Sequence, residues 1–78
     1  MKIFHLARPD SEKWGYDEAI EFIIISSSAK KARQLAADDP GDEGANVWTD
    51  SKESIIECIG TANKQQTEGV VVRDYRGT

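Results

Sequence analysis

The chain is short of most of the residues that staple small proteins or carry chemistry. It has one cysteine, Cys58, so no internal disulfide forms, although small secreted domains usually depend on disulfides or a metal. It has one histidine, His5, and without a second cysteine or histidine there is no zinc-ligand spacing. No Gly-x-Ser-x-Gly elbow surrounds Ser26-Ser27-Ser28. No glycine-rich phosphate loop is present, because Gly41 and Gly44 sit in an acidic stretch. The longest apolar run, Phe22 to Ile25, is far below the roughly 20 residues of a membrane helix. The apolar stretch at the N-terminus is broken by His5 and stops at Arg8, too soon for a signal-peptide core. A reduced, cytoplasmic location, no membrane, no cofactor and no catalytic metal are the resulting expectations. An enzyme is disfavoured, since nucleophile, base and metal sets are all missing.

What is present is ordinary for a small soluble domain. The 78 residues are 38% apolar and 31% charged, which is not the composition of a disordered chain. One domain spanning 1–78 is expected, and a fold of this size buries only about 60% of its unfolded surface. Lys and Arg number 10 against 14 Asp and Glu, a net charge of −4, which argues against direct nucleic-acid binding.

Hydrophobic spacing places the elements. Lys2 to Arg8 reads as a strand ended by Pro9, and Asp10 to Tyr16 as a polar loop holding Trp14 and Tyr16. Ala19 to Ser26 is a second strand, because consecutive isoleucines fit a pleated surface. The two are close enough in sequence to form an antiparallel hairpin. Serines 26–28 supply an N-cap. Ala29 to Ala37 is a helix with Ala29, Ala32, Leu35 and Ala36 on one face, ended near Pro40-Gly41. Val47-Trp48 returns to the core. Ser54 to Ile59 fits a strand, with a helix capped at Thr49 or Asp50 as the alternative. Gly69 to Asp74 is the last strand. The expected fold class is α+β: a mostly antiparallel sheet in β-β-α-β-β order, with one helix packed on one face.

One helix about 10 Å wide cannot cover both faces of four strands. With Phe4, Leu6, Phe22, Ile24, Ile55, Ile59 and Val72 under the helix, Ile3, Ile23, Ile25, Ile56 and Val71 point the other way. Such a patch marks an interface, for a second copy or a partner. Alternatively the loops fold over it, with Trp14, Tyr16 and Trp48 as a lid. Cys58 is expected to pack as a small apolar residue.

Charge is unevenly distributed. Up to residue 37 there are six basic and five acidic residues, and from 38 onward four basic and nine acidic. Seven of those nine are Asp38, Asp39, Asp42, Glu43, Asp50, Glu53 and Glu57, opposed within that stretch by Lys52 alone. A solvated, solubilising loop is one role for the row. A calcium loop is another, but counting from Asp38 places Pro40, Glu43 and Thr49 where the third, sixth and twelfth positions need Asp, Gly and Glu. Docking on a basic protein surface is the third, with carboxylates standing in for backbone phosphates. Two basic groups, Lys30-Lys31-Arg33 and Arg73-Tyr75-Arg76, lack the aromatic platform or positive total of a nucleic-acid site.

The opening KIFHLARPDSEKWGYDEAIEFIIISSSAKKAR, together with VWTDSKESIIECIGTA and EGVVVRDYRGT, resembles a group of short phage and prophage proteins. In that group a strand ending in Arg is followed by Tyr-Asp-Glu, a strand and a Ser-capped helix. Further on come a Trp and Asp before a strand ending in Ile-Gly-x-Ala, and a closing Gly-Val-Val-Val strand. The resemblance covers most of the chain and none of its positions is catalytic. It implies a phage product acting in the bacterial cytoplasm. Short acidic proteins of this kind include inhibitors of host machinery, anti-CRISPR proteins among them.

The leading expectation is therefore a non-enzymatic, anti-CRISPR-like inhibitor. It would bind a host protein with a basic nucleic-acid-binding surface, such as a CRISPR effector complex, and block it by charge mimicry and steric occlusion. Its contact residues would be Asp38, Asp39, Asp42, Glu43, Asp50, Glu53 and Glu57, with Trp14, Tyr16 and Trp48 as aromatic anchors. For Trp48, packing in the core or lid is the competing role. The alternative is a homo-oligomeric structural or regulatory phage protein, joined as a homodimer or larger assembly through the apolar sheet face. In that case the acids only solubilise it.

Overall fold

Strand formation starts from the β-branched runs. In the computed structural model, which describes residues 1–9 and 17–76, β1 (Lys2–Ala7) and β2 (Glu18–Ser26) pair antiparallel. Phe4 lies opposite Ile24, and Leu6 opposite Phe22. The Ser26 hydroxyl donates to the Ser28 carbonyl at 2.7 Å, and the Ser28 hydroxyl accepts from the Lys31 amide at 3.1 Å. The second contact starts α1 (Ala29–Ala37) by satisfying an amide that a helix start leaves unpaired. The chain then makes a single helical turn, α2 (Asn46–Thr49), before β3 (Ile55–Thr61) and β4 (Gly69–Arg76). The sheet order is β3-β1-β2-β4, antiparallel at every pairing. This is the expected α+β arrangement, and residues 55–61 take the strand alternative. No helix among the described residues is long and apolar enough to cross a membrane.

The connection from β3 to β4 joins the two edges of the sheet, so residues 62–68 pass the ends of both central strands. Three strand spacings are about 14 Å, well within the reach of seven residues. Both ends of the crossing are fastened. The Ala62 amide donates to the Met1 carbonyl at 2.9 Å, and the Ser27 amide to the Glu68 carboxylate at 3.2 Å.

The core lies between the sheet and α1. Phe4, Leu6, Ala19, Phe22 and Ile24 meet Ala32, Ala36, Ala37 and Trp48. The small alanines let the helix approach, and Trp48, fully buried, supplies the bulk. Its ring meets Phe22 edge-on, with centroids 4.8 Å apart at 86°.

The edge strands differ from the sequence expectation. Leu6 stands opposite Ile56 and Ala7 opposite Ile55, so Ile56 packs against the core and Ile55 is exposed. In β3 a register shift leaves Ile59 without a partner in β1, and it too is exposed. In β4 a bulge at Val71 sets Val72 opposite Ile23, on the side away from α1. A slip of one residue moves a whole strand to its other face, and bulges make such slips locally. Cys58 is exposed, not packed, because β3 is an edge strand. Trp48 lies on the helix side of the sheet and cannot be a lid on the other face. Trp14 and Tyr16 lie outside the described residues.

Candidate functional site

The segment 38–54 runs from the end of α1 to the start of β3, and its geometry decides which acids are free. Arg73 of β4 donates to the Asp39 carbonyl at 3.0 Å and the Pro40 carbonyl at 3.1 Å, and lies 3.5 Å from the Asp39 carboxylate. The same guanidinium stacks over the Tyr75 ring, 4.4 Å from its centroid. The Asp42 amide donates to the Asp17 carbonyl at 2.6 Å, with Asp17 in the left-handed region at φ 59°. Gly41 is needed here, since a Cβ at this position would meet the Asp17 carbonyl oxygen at 2.4 Å. The Tyr75 hydroxyl donates to Asp17 Oδ1 at 3.4 Å. Desolvation, and then the charge and hydrogen bond of Asp17 with a smaller part from Asp42, hold the Tyr75 phenol above its ordinary pKa against the opposing Arg73.

Glu43 is turned inward. One carboxylate oxygen accepts from the Ala19 amide at 2.9 Å and the Gly41 amide at 2.7 Å, and the other accepts from Trp48 Nε1. It ties the loop to the core. Arg33 does the same from the helix, donating to the Trp48 carbonyl at 3.0 Å and to the Ser54 hydroxyl and carbonyl at 2.9 and 3.1 Å. Asp38 accepts from Gln34 Nε2 at 2.8 Å but stays exposed. Asp50 accepts from the Lys52 amide at 2.8 Å in its own turn, and Glu53 is exposed beside it.

Pairing register shows where these groups sit. Asp17, Asp74 and the 38–54 segment all lie at the end of the sheet where β2 and β3 begin, while Lys2 and the starts of α1 and β4 lie at the other. Lys2, Lys30, Lys31 and the crossing residue Lys64 therefore occupy the end opposite Asp38, Asp39, Asp42, Asp50 and Glu53. Lys30 and Lys31 line a shallow hollow there with Ser27, Ser28 and Gln34. The molecule is electrically polarised from end to end.

The face away from α1 reads as three rows across the sheet in the order β3, β1, β2, β4. The first is Gly60, Ile3, Ile25 and Gly69. The second is Glu57, His5, Ile23 and Val72, and the third Ile55, Ala7, Glu21 and Asp74. Ile25 is buried, Ile3 and Ile23 are half-buried, and Ile55 and Val72 are 57% and 49% exposed. His5 Nε2 donates to Glu21 Oε2 at 2.8 Å across the middle.

Of the acids singled out in the sequence, Asp38, Asp39, Asp42, Asp50 and Glu53 share one end. Glu57 stands apart on the face away from α1, and Glu43 is committed internally. Trp48 is inside, so it is no surface anchor. Asp17, Glu21 and Asp74 join the acidic end and were outside the predicted row. Only their pairing register, not their spacing, brings them there. No group of three or more His, Cys, Asp or Glu able to hold a metal occurs among the described residues. Comparison with protein-family models, curated proteins and solved structures gave no match.

Proposed function

We infer that this protein acts by contact and not by catalysis, presenting its acidic end to a basic surface on another protein. The observation that carries this reading is the segregation of charge. Asp38, Asp39, Asp42, Asp50 and Glu53 are exposed at one end, with Lys52 among them, and Lys2, Lys30, Lys31 and Lys64 lie at the other. Such a field orients an encounter and speeds it. Together with the resemblance to short phage proteins, it favours an anti-CRISPR-like inhibitor working in a bacterial cytoplasm. The partner is a host defence complex whose positively lined nucleic-acid channel the acidic end enters. Charge competition and bulk then exclude DNA.

The test measures DNA binding by purified type I and type II CRISPR effector complexes, with this protein added at low and at high salt. Displacement of DNA that weakens as salt rises is the expected result. A variant with Asp38, Asp39, Asp42, Asp50 and Glu53 changed to Asn or Gln should lose about tenfold or more in potency while keeping its circular dichroism. No complex at low salt ends the inhibitor reading, and equal potency of the neutralised variant ends the charge mechanism.

A further inference from the structure

The two edges of the sheet are built differently. β4 carries Arg73 and Asp74 in its second half, and Arg73 holds the carbonyls of Asp39 and Pro40. β3 has one charge, Glu57, in seven residues, and neither lysine nor proline. Charged side chains and proline are among the devices that keep an edge from pairing, and an apolar edge short of them is a pairing site. Among the described residues β3 pairs with β1 alone, so its outer row of amides and carbonyls meets no strand. Ile55, Glu57, Cys58, Ile59 and Thr61 are exposed, Ile55 and Ile59 by more than half.

The charges at the two ends of β3 select what fits there. At its start the Asp50 carbonyl accepts from the amides of Glu53 and Ser54, each at 3.1 Å, so exposed Asp50 and Glu53 stand beside Ile55 and outnumber Lys52. At its end Thr61 lies opposite Lys2, and exposed Lys64 follows. A strand added antiparallel meets this gradient when its own acids come first and its lysines last. β3 is itself such a strand.

We propose that β3 pairs antiparallel with β3 of a second copy. A two-fold axis normal to the sheet relates the two strands, and Cys58, the middle residue of the seven, lies close to it. The sheets join into one of eight strands, in the order β4-β2-β1-β3-β3-β1-β2-β4. Asp50 and Glu53 of each copy then lie beside Lys2 and Lys64 of the other, twice by symmetry. Each Glu57 faces Ile59 and not its twin. Asp39 is held against β4 at the far edge of the sheet, outside the contact, so this inference goes beyond the acidic-end reading and does not rest on it. One strand edge buries less than the roughly 1,200 Å² of a stable interface, so the dissociation constant is about 10–500 µM.

The test is sedimentation equilibrium of the full chain up to about 1 mM, with circular dichroism to check each variant's fold. A monomer–dimer equilibrium in the stated range is expected, and a short-span bismaleimide should link Cys58 to Cys58 in the dimer. Ile59→Lys places a charge on the exposed edge and should weaken association about tenfold or more. Ile55→Lys is the second such variant should Ile59→Lys lose its fold. Glu53→Lys or Lys64→Glu alone should weaken association about three- to tenfold, and the two together should restore it, because the pair is then swapped in both copies. A monomer at every concentration overturns the proposal. So does a dimer that the edge lysines leave intact, since it is joined elsewhere, the face away from α1 included. Single reversals without effect, or a double variant no tighter than the singles, remove the contact that selects a second copy and overturn it as well.

Discussion

Removing the Glu43 carboxylate should damage this fold more than removing any exposed acid. Three donors converge on it: the amides of Ala19 and Gly41, and Trp48 Nε1. Ala19 and Trp48 are wholly buried, so water cannot take over at those two sites, whereas Gly41 is half-exposed and can be rehydrated. A buried donor left without an acceptor costs about 1–3 kcal/mol, so Glu43→Ala should lose about 2–4 kcal/mol. A chain of 78 residues has on the order of 4–12 kcal/mol in all, so the loss is a large share of it. Glu43→Gln keeps one oxygen for the two amides and faces an N–H toward Trp48, so it orphans one donor and should cost about half as much. Urea unfolding followed by far-ultraviolet circular dichroism gives both values, with the slope unchanged. Losses below about 0.5 kcal/mol for both variants would refute the donor count. So would equal losses, because the net charge would then matter and not the number of acceptors.

Arg33→Ala should cost about 2–3 kcal/mol, since the Trp48 carbonyl and buried Ser54 lose their donors. Arg33→Lys should recover less than half of it, because an ammonium lacks the planar fork. Urea midpoints and hydrogen exchange at the start of β3 measure both. The raised Tyr75 pKa means that the folded state favours the neutral phenol. Its contribution is fully present below the unfolded tyrosine pKa of about 10 and is lost as pH rises through the higher folded value. Stability measured across the alkaline range should therefore fall more steeply for the parent than for Tyr75→Phe, and parallel curves would contradict it.

The local elements were legible because their signals are local. Ser28 and Pro40-Gly41 bracket α1, and Ile23-Ile24-Ile25 can hardly be anything but a strand. Trp48 returns to the core as its neighbourhood suggested. The faces of the edge strands were not legible. Alternation in Ile55-Ile56 is symmetric until Leu6 selects Ile56, and nothing in Val70-Val71-Val72 says which residue bulges. The acidic row was visible as composition but not as geometry. Glu43 is set apart from Asp42 by having Ala19, Gly41 and Trp48 around it, and Ala19 is 24 positions away. Arg73, grouped in the sequence with Tyr75 and Arg76 as a basic tail, is instead held by Asp39 and Pro40.

Strand β1 occupies an inner place in the sheet, yet both of its neighbours follow it in the chain. One of them, β2, comes almost at once, and the other only after α1, α2 and the acidic segment have been made. A nascent chain can therefore close the first hairpin early and must hold one edge of β1 unsatisfied until Ile55–Thr61 emerges. That pairing, like the still later one between β2 and β4, joins distant segments, which must meet before their contacts repay the search.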